Sequence, residues 1–232
     1  MDRIQYLSQF NLLRSLSMED LITMDELTSI TTFSKHTFIQ TPETFTEELY
    51  FVKKGKVRLY QLNNEGKQFT LDILSEGNIF GEIGDISLGT RELFIETIEE
   101  SDICVMDKER FESYLIRCPR FMMNMIKAMS ERLSYMSSLV QNLAIGKLHD
   151  KIIHVLVELS DRFGVWDEGN DYCRIDMLIS HQEIAHLVGA SREAVSMALK
   201  ELSETGIIRT GFRTVAVCRT ILTSVCSNDS NL

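Results

Sequence analysis

The chain has 232 residues, is 44% hydrophobic and 25% charged, and carries a net charge of -10. That length holds one large or two small domains, and the balance of apolar and charged residues is that of a soluble globular protein. The acidity argues against a general single-stranded nucleic-acid binder, which needs a far more basic groove, and no apolar run approaches membrane-spanning length.

The first residues, MDRIQYLSQF, hold an acid at position 2 and no apolar signal core, so no membrane partner and a cytoplasmic location are expected. Up to about residue 28 the pattern suggests short helices. Phe10, Leu12, Leu13 and Leu16 come first; Ser17 then caps a segment whose apolar members are Leu21, Ile22, Met24 and Leu27. From Thr31 to Asp107 the period changes to two: LYFVKKGKVRLYQL turns at Gly55, NNEG is a further turn, and FTLDIL and TIEESDICVMD complete a set of short strands. Short strands between glycine turns predict a small antiparallel barrel or sandwich.

Phe111 to Ile116 begins a helical stretch, and Pro119 suits the first turn of a long helix. Within it Met122, Ile126, Met129, Leu133, Met136, Val140 and Leu143 step by four and three. Such a stripe packs either on its own domain or on a second chain. Strict heptads with free flanking polar positions favour the two-chain seam.

Gly146 breaks this helix, and Lys147 to Phe163 forms another around Ile152, Ile153, Leu156, Val157 and Leu159. GVWDEGNDYC reads as a polar loop. Two short helices with a glycine turn follow in ISHQEIAHLVGASREAVSMALKELS. Ser180 and Glu183 form a capping box, Gly189 ends the first helix, and Ser191 caps the second. Val195, Leu199 and Leu202 make the buried stripe of that second helix; Arg192, Glu193, Ser196 and Lys200 lie opposite. This pattern describes either a helix-turn-helix, whose second helix would lie in the major groove of double-stranded DNA, or an ordinary helical hairpin with a solvated charged face; the first reading is favoured. Arg192 can hold guanine bidentately and Glu193 can accept from the cytosine amino group. The segment Ile207 to Cys218 suggests a hairpin, or wing, whose Arg209 and Arg213 reach phosphates. From Ser180 to Arg219 basic residues outnumber acidic ones by one, so the acidity lies elsewhere.

A small barrel, a long heptad helix and a winged helix-turn-helix, in that order, resemble the cyclic-AMP receptor protein and FNR family of bacterial transcription regulators. The matching stretches are LYFVKKGKVRLY, EGNIFGEIG, the heptad helix ending in NLA, and ISHQEIAHLVGASREAV. The resemblance covers nearly the whole chain. It implies an α+β fold with a cyclic-nucleotide-binding-like antiparallel β-roll over 1–117, a dimerisation helix over 118–145 and a winged helix-turn-helix over 146–232. It also implies a homodimer on a palindromic site, with RNA polymerase as a further partner and Ser180, Gln182, Ser191, Arg192, Glu193, Ser196, Lys200, Arg209 and Arg213 on the DNA face. Met197 departs from the family, many of whose members place a second base-reading arginine there. The half-site should then differ next to the G·C pair.

The sensor half departs further. Family members that bind cyclic AMP use a Gly-Glu pair on the ribose and an Arg-Ser pair on the phosphate. Gly81 and Glu82 match the first pair, but Glu92 and Leu93 stand at the second, with Arg91 one place early. A glutamate there repels a phosphate. Gly81, Glu82 and Arg91 are therefore candidate pocket residues, with a structural turn the favoured reading and cyclic AMP not expected as effector.

Cys104, Cys118, Cys173, Cys218 and Cys226 are odd in number and scattered, and read as reduced thiols. No cysteine precedes residue 104, which argues against an iron-sulfur sensor of the FNR type. His36 and His149 are the candidate haem ligands, but a lone histidine is more often a surface residue. No cofactor or metal is expected. The chain lacks the Gly-Lys-Ser/Thr phosphate loop, H-E-x-x-H and G-x-S-x-G, so no enzyme is expected. The alternative function is a small-molecule-binding β-roll that acts through protein contacts without specific DNA binding.

Overall fold

The structure is a computed structural model that describes residues 16–166 and 171–222, with the side chains of Leu21, Asp25, Glu131, Ser138, Leu139 and residues 141–145 outside the description. The helices expected before Ser17 and the thiol of Cys226 therefore lie outside the described residues. The chain divides into two compact units, Met1–Tyr135 and Met136–Leu232.

In the first unit, helix α1 (Met18–Leu27) opens at Ser17, whose Oγ accepts from Asp20 N while Asp20 Oδ2 accepts from Ser17 N, both at 3.2 Å. The Ser17 bond holds the Asp20 carboxyl below its ordinary value. Nine strands follow: β1 (Ser29–Phe33), β2 (Phe38–Gln40), β3 (Glu48–Lys54), β4 (Lys56–Leu62), β5 (Gln68–Ser75), β6 (Ile79–Ile83), β7 (Ile86–Ser87), β8 (Phe94–Thr97) and β9 (Ser101–Asp107). They form two antiparallel sheets, ordered β1-β9-β3-β6-β7 and β2-β8-β4-β5.

The period of two explains how one strand serves two cores. On β3, Tyr50 and Val52 join Val57, Leu59, Leu74, Phe80, Leu93, Ile95 and Ile103 between the sheets. Leu49 and Phe51 face the other way, onto Met24, Phe111, Tyr114, Phe121 and Met125 of the surrounding helices. Those helices are α1, α2 (Lys108–Arg117) and α3 (Pro119–Ile145). Helix α2 starts at Asp107, which accepts from Arg110 N at 3.0 Å.

In the second unit, α4 (Leu148–Phe163), α5 (His181–Val188) and α6 (Arg192–Glu204) pack around Ile152, Leu156, Ile184, Val188, Val195 and Leu199, all buried. Ile153 is only half-buried, contrary to its expected core place; Val155 takes a core position instead. A four-stranded antiparallel sheet, ordered β10-β11-β13-β12, completes the unit, with β10 (Gly164–Trp166), β11 (Tyr172–Ile175), β12 (Ile208–Gly211) and β13 (Thr214–Cys218). The expected polar loop over 164–173 is thus corrected at both ends: β10 and β11 pair there. The alternation is real, since Cys173 and Ile175 are buried, but only two inward residues carry it. Among the described residues no helix is long and apolar enough to cross a membrane.

Candidate nucleic-acid interface and sensor site

The turn between α5 and α6 is built by local chemistry. Ser180 Oγ accepts from Glu183 N at 3.2 Å, and the Glu183 carboxylate accepts from Ser180 N, closing the capping box. Gly189 takes the left-handed conformation at φ 67°, which a side chain would resist, and its N–H bonds to Ala185 O. Ser191 Oγ then accepts from Ala194 N at 3.2 Å to start α6. The buried stripe of α6 fixes its other face outward, leaving Arg192, Glu193, Met197 and Lys200 exposed.

Ser196 is engaged rather than free. Its hydroxyl donates to the Arg192 carbonyl at 2.8 Å, and His181 Nδ1 stands 2.8 Å from Ser196 Oγ. A hydroxyl has one hydrogen, so both bonds form together only when Nδ1 carries the imidazole hydrogen. His181, Ser196, Lys200, Glu204 and Thr210 line a cleft of about 260 Å³ between α5, α6 and β12. Lys200 lies 3.8 Å from Glu204, with both side chains exposed. Gln182 is exposed and bonds its own helix, Nε2 to His186 Nε2 at 2.7 Å.

The β12–β13 hairpin stands beside α5. Arg213 adopts φ 54°, its carbonyl accepts from Ile179 N at 3.0 Å, and its guanidinium lies 3.9 Å from Glu183. Arg209 stacks on Tyr172 at 3.9 Å from the ring centre, and Tyr172 donates to Gly206 O at 2.7 Å. The described site thus brings together Ser180, Glu183 and Arg213 at one end of α5, and Ser196, Lys200 and Thr210 around His181. Nothing in the sequence singled out His181, because its partner is fifteen residues away.

In the first unit, Glu82 is buried and tied to its own loop. Its Oε1 accepts from Thr90 N at 3.0 Å and Arg91 N at 2.7 Å, and Oε2 accepts from Arg91 Nε at 3.2 Å. Thr90 Oγ1 returns a bond by accepting from Gly81 N at 3.1 Å. A Cβ on Gly81, at φ 110°, would overlap the Glu48 carbonyl oxygen. Arg91 also lies over Phe45 at 4.7 Å, while Leu93 is buried between the sheets. Gly81, Glu82 and Arg91 do meet, as one self-satisfied turn.

The long helix α3 has two apolar faces. Phe121 and Met125 are buried against the sheet, Arg132 bonds Asp72 Oδ2 at 3.1 Å and Leu88 O at 3.1 Å, and Tyr135 donates to Leu71 O at 2.9 Å. Met122, Ile126, Met129, Leu133 and Val140 are exposed, Leu133 at 71%. Met136 is half-buried, and the Leu143 side chain lies outside the described residues.

The two histidines named as candidate haem ligands face carboxylates: His36 Nδ1 is 3.2 Å from Glu96 and His149 Nε2 is 2.8 Å from Glu201. Among the described residues no cluster of three or more His, Cys, Asp or Glu side chains could hold a metal. Cys104, Cys118 and Cys173 are buried, and burial pushes the Cys173 thiol above its ordinary value.

Residues 30–118 match the cyclic nucleotide-binding domain, and residues 150–220 match the Crp-like helix-turn-helix domain. That pairing places a domain of the cyclic nucleotide-binding class before a helix-turn-helix domain of the Crp class. The anaerobic regulatory protein of Bacillus subtilis is 29% identical over 202 residues, covering 83% of each chain. The cyclic AMP receptor protein of Thermus thermophilus is 29% identical over 171 residues, covering 74% of this chain and 75% of its own. A CooA mutant from Carboxydothermus hydrogenoformans superposes with a TM-score of 0.75 at 24% identity, over 97% of this chain and 98% of its own. The chain belongs to the cyclic-AMP receptor protein and FNR family, and is a transcription regulator with a helix-turn-helix DNA-binding domain.

Proposed function

We propose that the chain works as a homodimer that reads a palindromic DNA site, with Arg192 and Glu193 at the base edges and no need of a cyclic nucleotide. The observation that carries this is the apolar stripe of α3, exposed at Met122, Ile126, Met129, Leu133 and Val140 although the helix buries its other face at Phe121 and Met125. Heptad-spaced apolar residues left in water match a seam that a second copy covers. Two-fold symmetry then sets two recognition helices about one helical turn apart on DNA. Ser180, Gln182, Ser191, Lys200, Arg209 and Arg213 supply phosphate and flanking contacts, which fix register more than sequence.

The Glu82–Arg91 turn supports the ligand-independent part. Both carboxylate oxygens of Glu82 have loop donors, and Arg91 faces Glu82, so the charge that would hold a cyclic phosphate is already neutralised. Relatives carry names as different as anaerobic regulator, nitrogen regulator and cyclic AMP receptor, so the effector does not follow from the family.

The test is selection of genomic fragments by the purified protein with no added ligand. Recovery of a palindromic motif supports the reading. Recovery only after adding cyclic AMP overturns the ligand-independent part, and no recovery under either condition overturns the DNA-site reading.

A further inference from the structure

The tip of the β12–β13 hairpin carries Phe212, which is 91% exposed. Among the described residues no large apolar side chain is more exposed. The tip is not loose. Gly211 pairs with Thr214 to close the turn, and Arg213 is pinned through its carbonyl to Ile179 N at 3.0 Å and through its guanidinium toward Glu183. Phe212 is therefore held away from the protein by an anchored turn.

Its surroundings say what it faces. From Thr205 to Leu222 the chain has Arg209, Arg213 and Arg219 and no acidic residue, in a protein of net charge -10. Thr210, on the same strand, lines the cleft with Ser196 and Lys200 of α6, so the hairpin continues the outward face of the recognition helix. A projecting aromatic ring on a cationic hairpin beside a recognition helix fits a polyanion with apolar sugar and base surfaces. We propose that Phe212 enters the DNA minor groove flanking the major-groove half-site. There it packs on sugars and a partly opened base step while Arg209 and Arg213 face the adjoining phosphates. The proposal rests on the DNA-binding reading above, and it extends the half-site to a flank that no recognition-helix residue reads. Pyrimidine–purine steps open most readily, so the flank should favour TA or CA.

The test uses the duplex recovered by selection with the wild-type full chain, and the same duplex with its flanking step changed to a G·C-only step. Binding of wild type, Phe212→Ala, Phe212→Leu and Arg213→Ala is followed across salt concentrations. Phe212→Ala should bind about tenfold more weakly on the TA or CA flank with an unchanged salt slope, and Phe212→Leu should recover part of the loss. Arg213→Ala should instead lower the salt slope by about one. Circular dichroism and sedimentation of Phe212→Ala should match wild type, because so exposed a ring supports no core. Equal affinity of Phe212→Ala and wild type on both flanks overturns the proposal. So does unchanged DNA affinity with loss of transcription in a purified polymerase assay, which would assign the ring to a protein partner. If wild type recovers no duplex, the underlying DNA reading falls and the minor-groove contact with it, whereas wild-type binding without a Phe212 effect removes only the latter.

Discussion

His181 Nδ1 and Ser196 Oγ stand 2.8 Å apart, and the same hydroxyl donates to the Arg192 carbonyl at 2.8 Å. The donor and one acceptor site of Ser196 are thereby spent inside the protein, which leaves little for a base edge. Ser196→Ala should change affinity for the selected site by no more than about 0.5 kcal/mol, the range of an ordinary surface substitution. Fluorescence anisotropy on the selected duplex and on one changed base by base would measure it. A tenfold loss confined to one base pair would show that the hydroxyl leaves His181 to read DNA.

Arg192 and Glu193 are exposed in the first turn of α6, with no packing role to confuse a substitution. Arg192→Ala should cost about 1–3 kcal/mol on the selected site and relax preference at its guanine. Glu193→Ala should mainly relax preference at the paired cytosine and leave binding to random DNA unchanged or tighter, because it removes an acid beside phosphates. Competition binding against random duplex separates the two effects. Equal loss of affinity on every sequence would exclude direct reading by Glu193.

The helix-turn-helix and the heptads were legible in the sequence because their chemistry is local: Ser180 with Glu183, Gly189, and a four-three spacing along one helix. Strand β3 was expected as an alternating run, but its LYFV is continuously apolar because both of its faces are buried. What the sequence hid depends on long-range closure. Ser196 meets His181 only after the Gly189 turn, Asp72 meets Arg132 across sixty positions, and the Glu82–Arg91 pair needs the 84–90 loop to fold back. The expected hairpin over Ile207 to Cys218 did not show how far Phe212, at its turn, stands out into solvent. The β10 and β11 strands escaped because so few inward residues sit beside a polar stretch.

Leu133 is 71% exposed on α3, so a charge there meets water in a single chain and a partner only in a dimer. Leu133→Glu should yield folded monomers with unchanged melting of the isolated chain and no measurable affinity for the palindrome. Burying an unpaired carboxylate in an apolar seam costs several kcal/mol, more than a seam of this length readily offsets. Sedimentation velocity reads the outcome. A variant that stays dimeric at micromolar concentration would move the seam to another surface.

Asp72 and Arg132 form a buried ion pair between the sheet and α3, at 3.1 Å with side chains 6% and 14% exposed. Arg132 also donates through Nε to Leu88 O, and Asp72 Oδ1 accepts from Ile73 N at 2.7 Å, so each charge has further partners. Removing one partner leaves the other ion dehydrated. Asp72→Ala should lower the stability of the first unit by about 3–5 kcal/mol, through Arg132 rather than through lost packing. Pairing Asp72→Leu with Arg132→Met removes both charges together, and should recover much of that loss while cutting the polar tie between barrel and helix. Urea unfolding of the two single variants and the double variant would give the coupling. A double variant as unstable as the sum of the singles would mean that the pair contributes no interaction and that each side chain acts through its other bonds alone.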